Sequence, residues 1–304
     1  MKNLLEYYYN IFPDIIYEKG NACYFFINDI KYYFVPFNRN INELNNLIEL
    51  SNKLYFKGIK VHTFIETKEK KFYIEHEKIN YVLLRVNTIE NEEIDIYDII
   101  KFNNLEIIND NKLNSLSWIK RWEHTVDSFE REVIELNNDF PLLTNYFNYY
   151  IGLAENAISY VKNINLNEEN KLYLSHKRIK TPLTYGMLYN PLSFIFDYKV
   201  RDLSEYIKEL FFYSKFDEDE IFNIINEELL NYSLNDVQLL YGRLLFPTYY
   251  FDLFEGVLNK EREEKELNNI INLSKHYELF LKELYYVLKS KYNIEPIEWI
   301  VNNK

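Results

Sequence analysis

Two residues in this chain have the type and position to do chemistry. His176 ends a short apolar run, Leu172-Tyr173-Leu174-Ser175, and Asp197 ends another, Ser193-Phe194-Ile195-Phe196. An imidazole exchanges protons near neutral pH, though His176 also reads as a buried, hydrogen-bonded loop anchor. Other charged groups crowd the same stretch. Lys177 and Arg178 follow His176, and either form an anion-binding point in a cleft or lie in a solvated loop paired with a glutamate. As a structural carboxylate, Asp197 would cap the next turn or pair with Lys199 or Arg201. Asp202 with Glu205 has the spacing of a capping box that opens a helix, and Asp202 is also the nearest second carboxylate for a metal or a base. Arg243 lies in an otherwise apolar helical run and is expected to reach Asp197 or Asp202.

Upstream, the elements that must position these groups are strand-rich. Ala22–Ile27 and Lys31–Phe37 flank Asn28-Asp29, which predicts a hairpin with a tight turn. Pro36 ends the second strand or sits at an edge. Apolar residues at helical spacing over Ile41–Phe56 predict a helix closed by Gly58. Further strands are expected at Val61–Glu66, Lys71–His76 and Tyr81–Val86. Beyond a polar break at 90–93 the pattern turns helical: Tyr97–Phe102, a long helix capped by Ser117 whose stripe begins with Trp118 and Trp122, and a second at Leu143–Lys162. After the central stretch, amphipathic segments near 217–231, 234–246, 248–258 and 262–291 complete the chain. The reading is a β-rich domain over 1–90 with one helix, then a larger, mainly helical domain over 91–304.

Composition narrows the function. The chain has 304 residues and a net charge of -12, which argues against binding nucleic acid through its backbone phosphates. Six scattered glycines leave no phosphate-cradling loop of the usual kinds. A single cysteine, Cys23, excludes an internal disulfide and reads as a buried thiol. His62, His76, His124 and His276 show no metal-ligand spacing. No apolar run is long enough to span a membrane, and the N-terminal residues lack a signal peptide's apolar core. The 29 tyrosines fit either codon bias or a surface suited to packing in an assembly.

The order of hairpin, helix, strands, two long helices and then His…Asp resembles the kinase-like fold of aminoglycoside phosphotransferases and choline kinases. Asp197 lies 21 residues after His176, the separation that superfamily uses between its loop histidine and metal-binding aspartate. More narrowly, Ser175-His176-Lys177-Arg178, Phe196-Asp197 with Arg201–Ile207, and Tyr241–Phe251 resemble the spore coat proteins of the CotS and YutH type. That resemblance implies an α+β, two-lobed, protein kinase-like fold, assembly onto the spore coat from the mother-cell cytoplasm, and other coat proteins as partners. It also exposes departures. Arg178 stands where the catalytic Asp belongs, and arginine stays protonated. Leu183 stands where the second metal ligand, Asn, belongs. The phosphate-binding Lys is missing from Tyr32–Phe37; Lys31 is too early, so Glu43 or Glu49, the candidate helix glutamates, lack a partner. The resemblance with these losses implies a pseudokinase needing no cofactor. The alternative is an unorthodox phosphotransferase for a small molecule or protein, using ATP and Mg, with Asp197 at the metal and Asp202 as the base or a second metal ligand.

Overall fold

A computed structural model describes residues 1–105, 107, 113, 118–136, 139–166 and 171–302. The chain divides into two compact units, one built mainly on Met1–Asp95 with Pro182–Ile195, the other on Ile96–Ile107, Asn114–Thr181 and Phe196–Lys304.

The first unit is an antiparallel sheet. Its strands are β1 (Ile16–Lys19), β2 (Ala22–Ile27), β3 (Ile30–Pro36), β4 (Thr63–Phe64), β5 (Ile74–His76) and β6 (Ile79–Arg85). They run in the order β1-β2-β3-β6-β4, with β5 on β6. Asn28 and Asp29 join β2 to β3 with φ of 49° and 61°, the left-handed pair that matches the strand twist in a two-residue turn. Alternate residues Cys23, Phe25, Phe34 and Leu83 face one side, where Leu5 and Tyr9 cover them. The helix Leu44–Phe56 ends at Gly58, whose φ of 84° lets the Ile59 amide donate back to the Leu54 carbonyl at 3.1 Å.

Two expected strands are shorter than their sequence pattern. Val61 gives its carbonyl to the Asn87 side chain at 2.8 Å, and the His62 amide donates to Tyr189 at 3.0 Å. The pairing with β6 is left to Thr63–Phe64 and to the Ile65 amide, which donates to the Leu83 carbonyl at 2.9 Å. Thr67 and Lys71 close a turn through Thr67 N–H to the Lys71 carbonyl at 2.7 Å, so β5 starts only at Ile74. Backbone groups satisfied elsewhere cannot extend a ladder.

The second unit carries the helices Ile96–Asn103, Trp118–Glu135, Pro141–Lys162, Arg201–Tyr213, Glu218–Glu228, Leu234–Leu245, Thr248–Leu258 and Leu267–Lys291. Strand β7 (Tyr173–His176) pairs with β8 (Phe194–Asp197), whose last two residues belong to this unit. Ser117, the expected cap of the first long helix, lies outside the described residues. Pro141 occupies the first turn of its helix rather than breaking one, where its missing N–H costs nothing. Aromatic side chains stack on one another within the core. Trp122 stacks on Phe246 at 3.8 Å and Phe212 on Tyr249 at 3.7 Å between ring centroids, so the tryptophan stripe is packing. No described helix is long and apolar enough to cross a membrane.

Candidate functional site

The ends of β7 and β8 and the start of the Arg201–Tyr213 helix bring His176, Asp197 and Asp202 together within the second unit. All three are buried. The His176 amide donates to Asp202 Oδ1 at 2.9 Å, and His176 Nδ1 lies 2.6 Å from Asp202 Oδ2. Asn103 Nδ2 donates to the Leu174 carbonyl at 2.7 Å and to Asp202 Oδ2 at 3.3 Å, and the Phe102 ring packs 4.7 Å from the imidazole. His176 is therefore an anchor of the loop that follows it.

This overturns the capping-box reading of Asp202. The helix starts after Val200 with no side-chain cap. Asp202 is already inside it, and its carboxylate points back to His176. The spacing to Glu205 is coincidental, because Glu205 is committed to Lys208 at 2.9 Å.

Asp197 is surrounded by donors. Its Oδ1 accepts from Arg243 Nη2 and from the Tyr198 amide, both at 2.7 Å, and its Oδ2 accepts from Arg201 Nη1 at 3.0 Å. Arg201 spends its remaining donors on the loop: Nε reaches the His176 carbonyl and Nη2 the Lys177 carbonyl, both at 2.7 Å. Arg243 lies with its guanidinium carbon 4.1 Å over the Trp118 ring. Burial pulls its pKa down, against the opposing pull of Asp197. Of the two partners the sequence offered Arg243, the structure selects Asp197; of those offered Asp197, it selects Arg201.

A second buried pair supports the first. Lys208 Nζ donates to Glu205 and to the carbonyls of Arg243 and Phe246 at 3.0 and 3.3 Å. Burial opposes ionisation of Glu205, but Lys208, Arg178 and Arg201 outweigh it and hold the carboxyl down at about 2. Burial lowers the Lys208 pKa.

Arg178 turns to Asp252 at 3.5 Å, and Lys180 reaches the same carboxylate at 3.0 Å. Asp252 lines two cavities of about 310 and 330 Å³ within this unit. Leu183 belongs to the other unit, where its carbonyl accepts from Ile94 at 3.0 Å. Also in that unit, Lys31 pairs with Glu90 at 2.6 Å, and Glu43 with Arg39; Glu49 is exposed.

The fit to a divalent cation is poor. Both oxygens of Asp197 face guanidinium groups, so a metal would have to displace two buried positive charges. Among the described residues no three His, Cys, Asp or Glu side chains are grouped to ligate a metal. Sequence reasoning missed Asn103, Lys208 and Asp252. Lys208 had a signal: it is a charge on the apolar face of its helix, which calls for a buried partner.

Comparison with known proteins places this geometry in a lineage. A family profile described as "Spore coat putative kinase YutH" matches residues 2–284. The endospore coat-associated protein YutH of Bacillus subtilis (strain 168) is 26% identical over 271 residues, covering 79% of each chain. Among solved structures, an aminoglycoside phosphotransferase from Alicyclobacillus acidocaldarius superposes with a TM-score of 0.66 at 10% identity, covering 93% of this chain and 94% of that one. The AMP-bound spectinomycin phosphotransferase APH(9)-Ia gives 0.55 at 14%, covering 88% and 96%. Amicoumacin kinase hAmiN with AMP-PNP and Ca²⁺ gives 0.58 at 9%, covering 98% and 96%. The fold is that of the aminoglycoside phosphotransferases: an N-terminal antiparallel sheet with a helix, then a mainly helical part.

Proposed function

The chain belongs to the YutH family of spore coat proteins with a kinase fold, and from that premise we propose that it is a pseudokinase acting in coat assembly. One observation carries the reading: the carboxylate in the metal-binding position is held by Arg201 and Arg243. Phosphoryl transfer rests on a phosphate clamp, a group that orients the nucleophile, and metal ions that neutralise developing charge. Here a guanidinium replaces the base, a leucine replaces the second metal ligand, and two arginines do to Asp197 what a metal ion would do. The buried cations give the loop a fixed shape with no nucleotide required. The likeness to a coat-associated relative supports synthesis in the mother cell, incorporation into the coat, and other coat proteins as partners.

The direct test is transfer of radiolabelled phosphate from ATP, with magnesium, to isolated coat material, comparing the protein with Asp197→Ala. The expected result is no Asp197-dependent labelling. Labelling that disappears in the variant would refute the pseudokinase reading. Thermal denaturation with millimolar ATP and magnesium is expected to show no shift.

A further inference from the structure

The first unit contains a histidine that nothing above uses. His62 is 1% exposed, neither ring nitrogen makes a hydrogen bond of good geometry among the described residues, and the Gly186 backbone is a looser polar contact of the ring. Buried polar atoms are nearly always paired, so an imidazole stranded in this way is unusual.

Its surroundings explain what it touches. The His62 amide donates to the Tyr189 carbonyl at 3.0 Å, and its own carbonyl accepts from Ser51 of the Leu44–Phe56 helix at 2.7 Å. The segment that begins at Leu183 is laid along the linker Glu90–Ile94 by three backbone bonds. Ile94 donates to Leu183 and Tyr185 to Glu92, each at 3.0 Å, and Gly186 to Glu90 at 3.1 Å. The approach is close enough that a Cβ on Gly186 would lie 3.1 Å from the Glu90 carbonyl. The titratable groups facing His62 are Glu90 and Lys31, which are paired with each other; Tyr33 adds a hydrogen bond to Glu90.

We propose that His62 is the trigger of an acid-sensitive latch, in which protonation of its ring releases the Leu183–Tyr189 segment from the Glu90–Ile94 linker. A charged imidazole in this position would be desolvated and without a counter-ion of its own: among the described residues Glu90 is the carboxylate facing it, and Lys31 already holds Glu90. The Gly186 backbone contact favours the charged form, as Glu90 does, but burial outweighs both. Opening the segment restores water to the ring at the cost of the three backbone bonds and the His62–Tyr189 bond. Burial lowers the His62 pKa to about 4 from the usual 6.5. In the open state His62 takes up its proton below about pH 6.5, while the closed state resists until about pH 4. The latch therefore loses stability as pH falls through that window.

The device goes beyond the functional reading above and does not depend on it. Its test is amide hydrogen exchange of the full chain at pH 7 and pH 4, corrected for intrinsic rates, on the protein and on His62→Gln and His62→Phe. In the unaltered chain, protection at Tyr185, Gly186 and Tyr189 should fall at least about tenfold at pH 4. Amides of the Arg201–Tyr213 helix should stay protected, because Glu205 remains ionised there. In whichever variant retains the native circular dichroism spectrum at pH 7, the fall at Tyr185–Tyr189 should vanish. An equal fall in variant and unaltered protein, or none in the unaltered protein, would overturn the proposal.

Discussion

Asp197 is where the ancestry of the chain and its present chemistry part. Its side chain is fully buried between two arginines, so removing a partner leaves an uncompensated charge. Arg243→Ala should cost roughly 3–5 kcal/mol of stability, read from urea unfolding at neutral pH. An Arg243 variant as stable as the parent would mean that Asp197 does not need its partner. Glu205 adds a pH dependence. Its folded pKa is depressed to about 2, so the stability it contributes is complete above the unfolded value near 4.3 and is lost as pH falls from there toward 2. Over that range the unaltered protein should lose on the order of 3 kcal/mol. Glu205→Gln should start less stable and show a flatter acid limb, measured as urea midpoints at pH 6, 4 and 3.

At the scale of elements, local chemistry sets the turns and close packing sets the helices. The β2–β3 turn keeps Asn28 and Asp29 in left-handed conformation, which a β-branched residue adopts only at a cost of roughly 1–2 kcal/mol. Asp29→Val should lower stability by about that amount in thermal denaturation, and Asp29→Gly should not. The Leu234–Leu245 helix meets Pro141–Lys162 at Gly242, where an added Cβ would fall 2.5 Å from Val161 and 3.2 Å from the Tyr160 ring. Gly242→Ala would favour the isolated helix, yet the overlap should reverse that, for a net loss of about 1–3 kcal/mol. A stabilised variant would show that the two helices separate easily. Hairpin, helix spacing and the long helices were legible in the sequence, because period and turn chemistry are local. The shortened β4 was not, because the groups that divert its backbone bonds, Asn87 and Tyr189, are distant in sequence.

For the molecule as a whole, the proposed pseudokinase reading distributes the loss over three positions: Arg178, Leu183 and Asp197, whose carboxylate is held by Arg201 and Arg243. Restoring the first two with Arg178→Asp and Leu183→Asn should therefore not create phosphotransfer, since Arg201 and Arg243 would still hold the remaining ligand. Turnover of labelled ATP by that double variant above the parent's background would show that the arginines yield to metal.

The sequence by itself determined the order of strands and helices, the membership of a kinase-like lineage, and the identities of the residues at 178 and 183. Each is written in residue identity, spacing or periodicity along the chain. It also narrowed Arg243 to two carboxylates and the structural partners of Asp197 to Lys199 or Arg201. Only the tertiary structure decided between them. A charge chooses its partner by distance and by what else is buried nearby, and Arg243 lies 46 residues from Asp197. The same holds for Asp202, whose capping pattern was plausible locally. The fold turns its carboxylate back onto His176, where two buried donors would otherwise go unpaired.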